Sequence, residues 1–350
     1  MKNISLLILI ILIIITISCA QTKLTNSHDV SSSAPRYLFP SDYMADPAAR
    51  VFNGKLYIYP SHDRNSAGYG SSLLDGGAYD MVDYYVFSLD DVFSGEVTNH
   101  GVVLALSDIP WARGQLWDND VAYKNGKYYM YFPAKDHNNL FRIGVAIADR
   151  PEGPFIPQPE PIIGSYSIDP CVFEDEGNFY MYFGGIWGGQ LQFYEGNTFV
   201  SRSGRSNSGI SPRVVKLRDD MLQFAESPRE ISLIDKNGRV LASNNSRFFE
   251  AAWMHKYNDK YYFSYSTGDT HNICYATGDN PYGPFTYQGL ILTPVIGWTS
   301  HHSIVEFKEQ WYLFYHDSRP SGGTDHLRSM KVTKLTHLPD GTIERINGQQ

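Results

Sequence analysis

The stretch DPCVFEDEGNFYMY (residues 169–182) sets an acid ahead of a short strand-like run, then a turn at Glu176-Gly177, then a run dense in aromatics. The same layout returns in DPAARVFNGKLYIY (46–59), DNDVAYKNGKYYMY (118–131), EAAWMHKYNDKYYFSY (250–265) and HHSIVEFKEQWYLFY (301–315). The other turns fall at 53–54, 125–126, 258–259 and 309–310. Gly in three of the five suits a tight hairpin, whose central residues take positive φ. In every unit the head residue precedes an aromatic-strand tyrosine by eleven positions: Asp46 to Tyr57, Asp118 to Tyr129, Asp169 to Tyr180, Glu250 to Tyr261, His301 to Tyr312. Hairpins recurring every 50 to 80 residues, with further short strands between them, suit a propeller. Five units predict an all-β, five-bladed β-propeller over residues 34–350. The first strand of a propeller blade lines the axis, so equivalent heads converge at one end of the channel.

Composition agrees. The chain has 350 residues, of which 42% are hydrophobic and 14% aromatic, enough for a large core. Its 25 tyrosines, with 30 glycines and 19 prolines, favour strands and turns. A formal charge of −8 without any Lys/Arg cluster argues against a nucleic-acid partner. Residues 1–19 read as a targeting segment. Lys2 gives a basic start, and the apolar run over 4–18 is shorter than the ~20 residues a spanning helix needs. Ser18-Cys19 resembles a bacterial lipobox, although Thr16 stands where Leu is more usual. The resemblance implies cleavage before Cys19 and lipidation of Cys19, on an exported outer-membrane, cell-surface or periplasmic protein that meets the membrane only through its lipid; an ordinary secretory signal or an uncleaved anchor is the alternative. Residues 20–33 are polar and Ser-rich, a flexible tether. Cys171 and Cys274 are expected as buried free thiols, with a disulfide between them the alternative in an exported protein.

Four acids and a histidine in register are more than strand-entry residues. Carboxyl groups gathered on an axis raise each other's pKa values, and burial raises them further. Glycoside hydrolysis needs two carboxyls flanking one bond, one protonated and one ionised. A third can keep the acid protonated by its proximity. Asp46, Asp169 and Glu250 are the candidates, and Trp117, Phe249 and Trp187 are placed to stack on a sugar.

These motifs resemble glycoside hydrolase family 43. ADPAARVFNGKLYIYPSHD resembles the family's first-blade motif, SIDPCVFEDEGNFYMYFGG its third, FFEAAWMHKYNDKYYFSYS its fourth, and HHSIVEFKEQWYLFYHD its fifth. The resemblance implies that Asp46 is the general base, that Asp169 stays anionic and tunes the acid, and that Glu250 is the general acid. It implies inversion at the anomeric carbon, with a base–acid gap of roughly 6.5 to 9.5 Å to admit water. It also implies one central calcium at His301, favoured over His302 by register, with a structural or electrostatic role. RSMKVTKLTHLPDGTI resembles the closing strands, where Arg328 would reach the sugar. The second blade departs from the family: WDND stands where Trp-Ala-Pro-Asp is usual, so Asp118 adds an acid at a head position. Asp118 either alters the metal, the acid or a sugar contact, or simply faces channel water.

The implied substrate is an oligo- or polysaccharide with arabinofuranosyl or xylosyl linkages. A β-D-galactofuranosidase and a non-catalytic glycan-binding lipoprotein are the alternatives. His62 and Asp63 either touch the sugar or stabilise their loop. His316 reads as structural and Trp111 as core, while RPEGPF and NPYGPF (150–155 and 280–285) read as outer-strand turns.

Overall fold

The computed structural model describes residues 34–39, 42–65, 76–200 and 209–350. The targeting segment, Cys19 and the tether lie outside the described residues. Residues Ser33–Gln350 form one compact unit.

Each head stretch folds as an antiparallel hairpin because its turn holds two successive left-handed residues. The pairs are Asn53 and Gly54 (φ 52° and 75°), Asn125 and Gly126 (50° and 79°), Glu176 and Gly177 (50° and 78°), and Asn258 and Asp259 (46° and 59°). Such turns match the right-handed twist of the strands they join. The fifth turn corrects the reading above. Positive φ falls on Lys308 and Glu309 (51° and 63°), while Gln310 already pairs with Phe307 in the ladder. Neither glycine nor asparagine marks that turn, so only strand pairing locates it.

Each hairpin is the inner half of a blade, and the sheets form a five-bladed propeller. Blade one is Met44–Phe52, Lys55–His62, Asp83–Leu89 and Val97–Ala105. Blade two runs from Asp120–Lys124 through Lys127–Asp136 and Phe141–Ala148 to Ile156–Pro157. Blade three is Cys171–Asp175, Asn178–Phe183, Arg213–Lys216 and Arg229–Glu230. Blade four comprises Glu250–Tyr257, Lys260–Ser266, Ile273–Gly278 and Phe285–Leu292, with Leu233–Ile234 added in parallel outside. Blade five is His302–Phe307, Gln310–Asp317 and Ser329–Lys334, and Arg36–Tyr37 pairs with its outer strand. That last pairing closes the ring, joining the start of the propeller to its end.

The aromatic strands explain the tyrosine content. Tyr59, Tyr131, Tyr182, Tyr265 and Tyr315 are each almost fully buried. Tyr59 donates to the Pro151 carbonyl at 2.8 Å, Tyr131 to Met221 at 2.9 Å and Tyr182 to Pro281 at 2.7 Å. Each bond crosses to the next stretch of the ring, and each contributes about 1 kcal/mol beyond the apolar area its ring buries. Pro151 and Pro281 belong to RPEGPF and NPYGPF, so these turns are acceptors for the preceding blade as well as punctuation. Trp111 is core, stacked on Phe132 with centroids 6.0 Å apart. Cys171 and Cys274 are buried and free.

Candidate active site

The inner strands bring the heads together at one end of the axis. Asp46, Asp118, Asp169, Glu250, His301 and Arg328 line one pocket. His302 does not join them. It is buried behind, within 2.6 Å of the Ser264 hydroxyl.

The heads are not all equivalent in backbone terms. Counting seven residues back from each turn gives Asp46, Asp118, Asp169, Ala251 and His301. Asp46, Asp169 and Ala251 share the left-handed conformation, with φ of 47°, 60° and 62°. Glu250 therefore sits one place earlier, where blade one has Ala45, and each precedes an equivalent register shift, between Glu250 and Trp253 and between Ala45 and Ala48. The eleven-residue count to Tyr261 hid this offset. The Ala251 N–H donates to Asp169 Oδ2 at 2.6 Å, tying the third head to the fourth.

Aromatic residues wall the pocket. Tyr79, Trp117, Trp187, Phe249 and Trp298 line it. Trp187 stacks on Trp298 at 6.0 Å and meets Phe249 edge-on at 4.9 Å. Two glycines make room for this wall: a Cβ at Gly76 would lie 2.3 Å from the Trp117 ring, and one at Gly268 would lie 2.1 Å from Phe249. Both have positive φ, so substitution there is strained as well as blocked.

The carboxyls differ sharply in charge preference. Burial opposes ionisation of Asp46, but the Arg328 guanidinium, helped by His316, outweighs it and holds Asp46 well below the usual range. Arg328 grips both Asp46 oxygens, at 2.7 and 2.9 Å. Glu250 goes the other way: burial, then the Asp169 charge, raise it from 4.5 to about 8. Asp118 and Asp169 share a side-chain hydrogen bond, and burial pushes both well up. The Asp118 charge raises Asp169 further, whereas His301 and the Ala251 N–H pull it down. The balance lies upward, against the anionic state expected of Asp169.

Arg328 borders the pocket, yet its five N–H donors are taken by Asp46, Asp63 and Thr299. It presents an engaged guanidinium rather than free donors for a sugar. Asp63 is buried against Arg328, and His62 pairs with Asp83 at 2.6 Å. His316 Nδ1 accepts the Asp46 N–H at 3.1 Å, and its Nε2 lies 3.0 Å from the Thr299 hydroxyl. Thr299 was missed by sequence reasoning, since a lone threonine in a loop carries no pattern. Asp120, the last residue of WDND, ion-pairs with Arg50 and accepts the Val172 N–H at 2.6 Å. It pins three blades below the site.

Asp118, Asp169 and His301 each offer a ligand atom within 4.8 Å of the others. His301 Nε2 is 3.2 Å from Asp118 Oδ2, and Asp118 Oδ1 is buried without a hydrogen-bond partner. Two carboxylates, one of them with an orphaned oxygen, and an imidazole fit a divalent cation, with water completing the oxygen-rich shell that calcium prefers. His301, named alone from the sequence, is one member of this set.

Comparison with known proteins decides the family. The model of glycosyl hydrolases family 43 matches residues 97–343. The chain belongs to that family. This glycoside hydrolase is 60% identical over 321 residues to a xylosidase/arabinosidase of Bacteroides ovatus, covering 90% of the chain and 98% of the relative. Among solved structures, RS223 β-xylosidase is 63% identical with a TM-score of 0.87, over 91% of this chain and 99% of that one. A β-xylosidase/α-arabinofuranosidase from a compost microbial metagenome, in complex with xylotriose and calcium-free, is 57% identical with a TM-score of 0.86, over 90% and 99%. Asp46 precedes the span of the family model but heads a blade built on the same kind of hairpin as the rest.

Proposed function

We propose that this glycoside hydrolase removes xylosyl and arabinofuranosyl residues from plant-type oligo- or polysaccharides, with inversion and with water as nucleophile. The observation that carries the reading is the opposite charge state of two carboxyls in one pocket, Asp46 held ionised and Glu250 held protonated near neutrality. Xylose and arabinose are the sugars for which the relatives at 57–63% identity are named, which favours them over galactofuranose.

Asp46 takes a proton from water as the water attacks the anomeric carbon. Glu250 gives its proton to the departing oxygen. Asp169 lies close enough to raise Glu250, and its bond from Ala251 holds it in place. Trp117 and Phe249, with Trp187 and Trp298, form apolar walls against which the sugar faces pack. A calcium ion held by Asp118, Asp169 and His301 would supply positive charge that lets both buried carboxylates ionise together. We place the enzyme outside the cytoplasm on a lipid anchor at Cys19, from the apolar run and lipobox-like Ser18-Cys19.

The test is release of 4-nitrophenol from β-D-xyloside, α-L-arabinofuranoside and β-D-galactofuranoside by protein starting near Gln21. Xyloside or arabinofuranoside turnover that is lost in Glu250→Ala supports the reading. Turnover confined to the galactofuranoside, or surviving undiminished in Glu250→Ala, overturns it.

A further inference from the structure

Arg328 makes two bidentate contacts, and only one faces the pocket. Its outer edge grips Asp46. Its inner edge, Nε and Nη2, meets Asp63 at 2.8 and 2.7 Å, and its backbone N–H donates to the same Asp63 at 2.8 Å. All three side chains are almost entirely buried, at 3%, 6% and 4% exposure for Arg328, Asp46 and Asp63. One cation thus faces two anions in a region with little water to screen them.

A bidentate guanidinium fixes the plane of the carboxylate it grips, so whatever holds the guanidinium also sets that carboxylate's direction. We propose that Asp63 is a positioning residue for the water-activating base. It locks the Arg328 plane so that Asp46 presents one fixed geometry to water. The design follows from the chain: Asp63 lies one residue beyond the strand Lys55–His62, and Asp46 sits in the partner strand, so one hairpin brings both acids to one guanidinium. Thr299 completes the clamp, accepting from Nη1 at 3.1 Å and touching His316. Asp63 makes no contact with the pocket itself and does not appear among its lining residues. A substrate-binding part for it is thereby set aside in favour of action through Arg328.

This inference rests on Asp46 being the base. The test compares Asp63→Asn, Asp63→Glu and Asp46→Asn by steady-state kinetics on xylobiose and on 4-nitrophenyl β-xyloside, with thermal melts to confirm folding. Asp63→Asn is expected to lower kcat about 30-fold with KM within twofold, since misplacing a reacting group costs one to two orders of magnitude. The loss is expected to be equal on both substrates, because water must be activated whatever the leaving group, and Asp63→Glu, which keeps the charge, recovers part of it. A folded Asp63→Asn protein with kcat within threefold of wild type overturns the inference, as does a loss carried by KM. If the Asn variant does not fold, Asp63→Glu decides on the same terms: reduced kcat at constant KM supports the inference, and wild-type kcat overturns it. An inactive Asp46→Asn beside a normal Asp63→Asn refutes only this inference. An active Asp46→Asn refutes the base assignment beneath it.

Discussion

The tuned acid makes a quantitative prediction. Raising Glu250 from 4.5 to about 8 favours its protonated form by roughly 5 kcal/mol, at about 1.36 kcal/mol per pKa unit. At pH 7 about nine-tenths of such a group carries its proton, against ~0.3% for an ordinary glutamic acid, a gain of roughly 300-fold in competent enzyme. The sign is fixed by the role: a donor must be protonated, so activity is retained below its pKa and lost above it. The perturbation is pH, with Glu250→Gln as control, and the assay is kcat/KM on xylobiose from pH 5.5 to 10. Wild type should fall tenfold per unit above a midpoint near 8. Glu250→Gln should lose at least ~10³-fold on xylobiose, far less on 2,4-dinitrophenyl β-xyloside, whose leaving group needs no proton, and should show no alkaline limb there. An alkaline limb that persists in Glu250→Gln on the dinitrophenyl substrate would refute the assignment, as would equal losses on both substrates.

Three further outcomes follow from particular contacts. Asp120→Ala leaves the partly buried Arg50 without its carboxylate and the Val172 N–H without its acceptor, and should cost ~1–3 kcal/mol of stability, read from urea unfolding at constant m. Tyr182→Phe removes the bond to Pro281 and should cost ~1–2 kcal/mol in the same assay while leaving kcat unchanged. Gly268→Ala drives a methyl into Phe249 and should raise KM for xylobiose several-fold, with a smaller effect on kcat, because the ring forms part of the pocket wall.

The propeller was legible because its signal is repeated. One Asp-Pro before a strand says little, whereas five hairpins in register place their heads on one axis. Asn-Gly and Glu-Gly turns could be located by residue type, but Lys308–Glu309 could not, since nothing in those side chains demands positive φ. The offset of Glu250 was hidden because adjacent tyrosines satisfy either count: Tyr261 lies eleven places after Glu250 and Tyr262 eleven after Ala251. Asp46, Asp169, Glu250, Asp118 and His301 were named from the sequence and lie in one pocket. The pairing of Asp118 with Asp169, the double grip of Arg328 and the place of Thr299 depend on loops far apart in the chain. Side-chain direction across such distances has no period to read.

The most direct test of water activation by Asp46 is the configuration of the first product. Proton NMR during hydrolysis of a β-xyloside, recorded before mutarotation equilibrates the sugar, should show α-xylose appearing first and β-xylose growing in later. Single displacement by water between Asp46 and Glu250 requires that order. β-Xylose as the initial product would mean retention through a covalent intermediate, and would contradict a base acting on water.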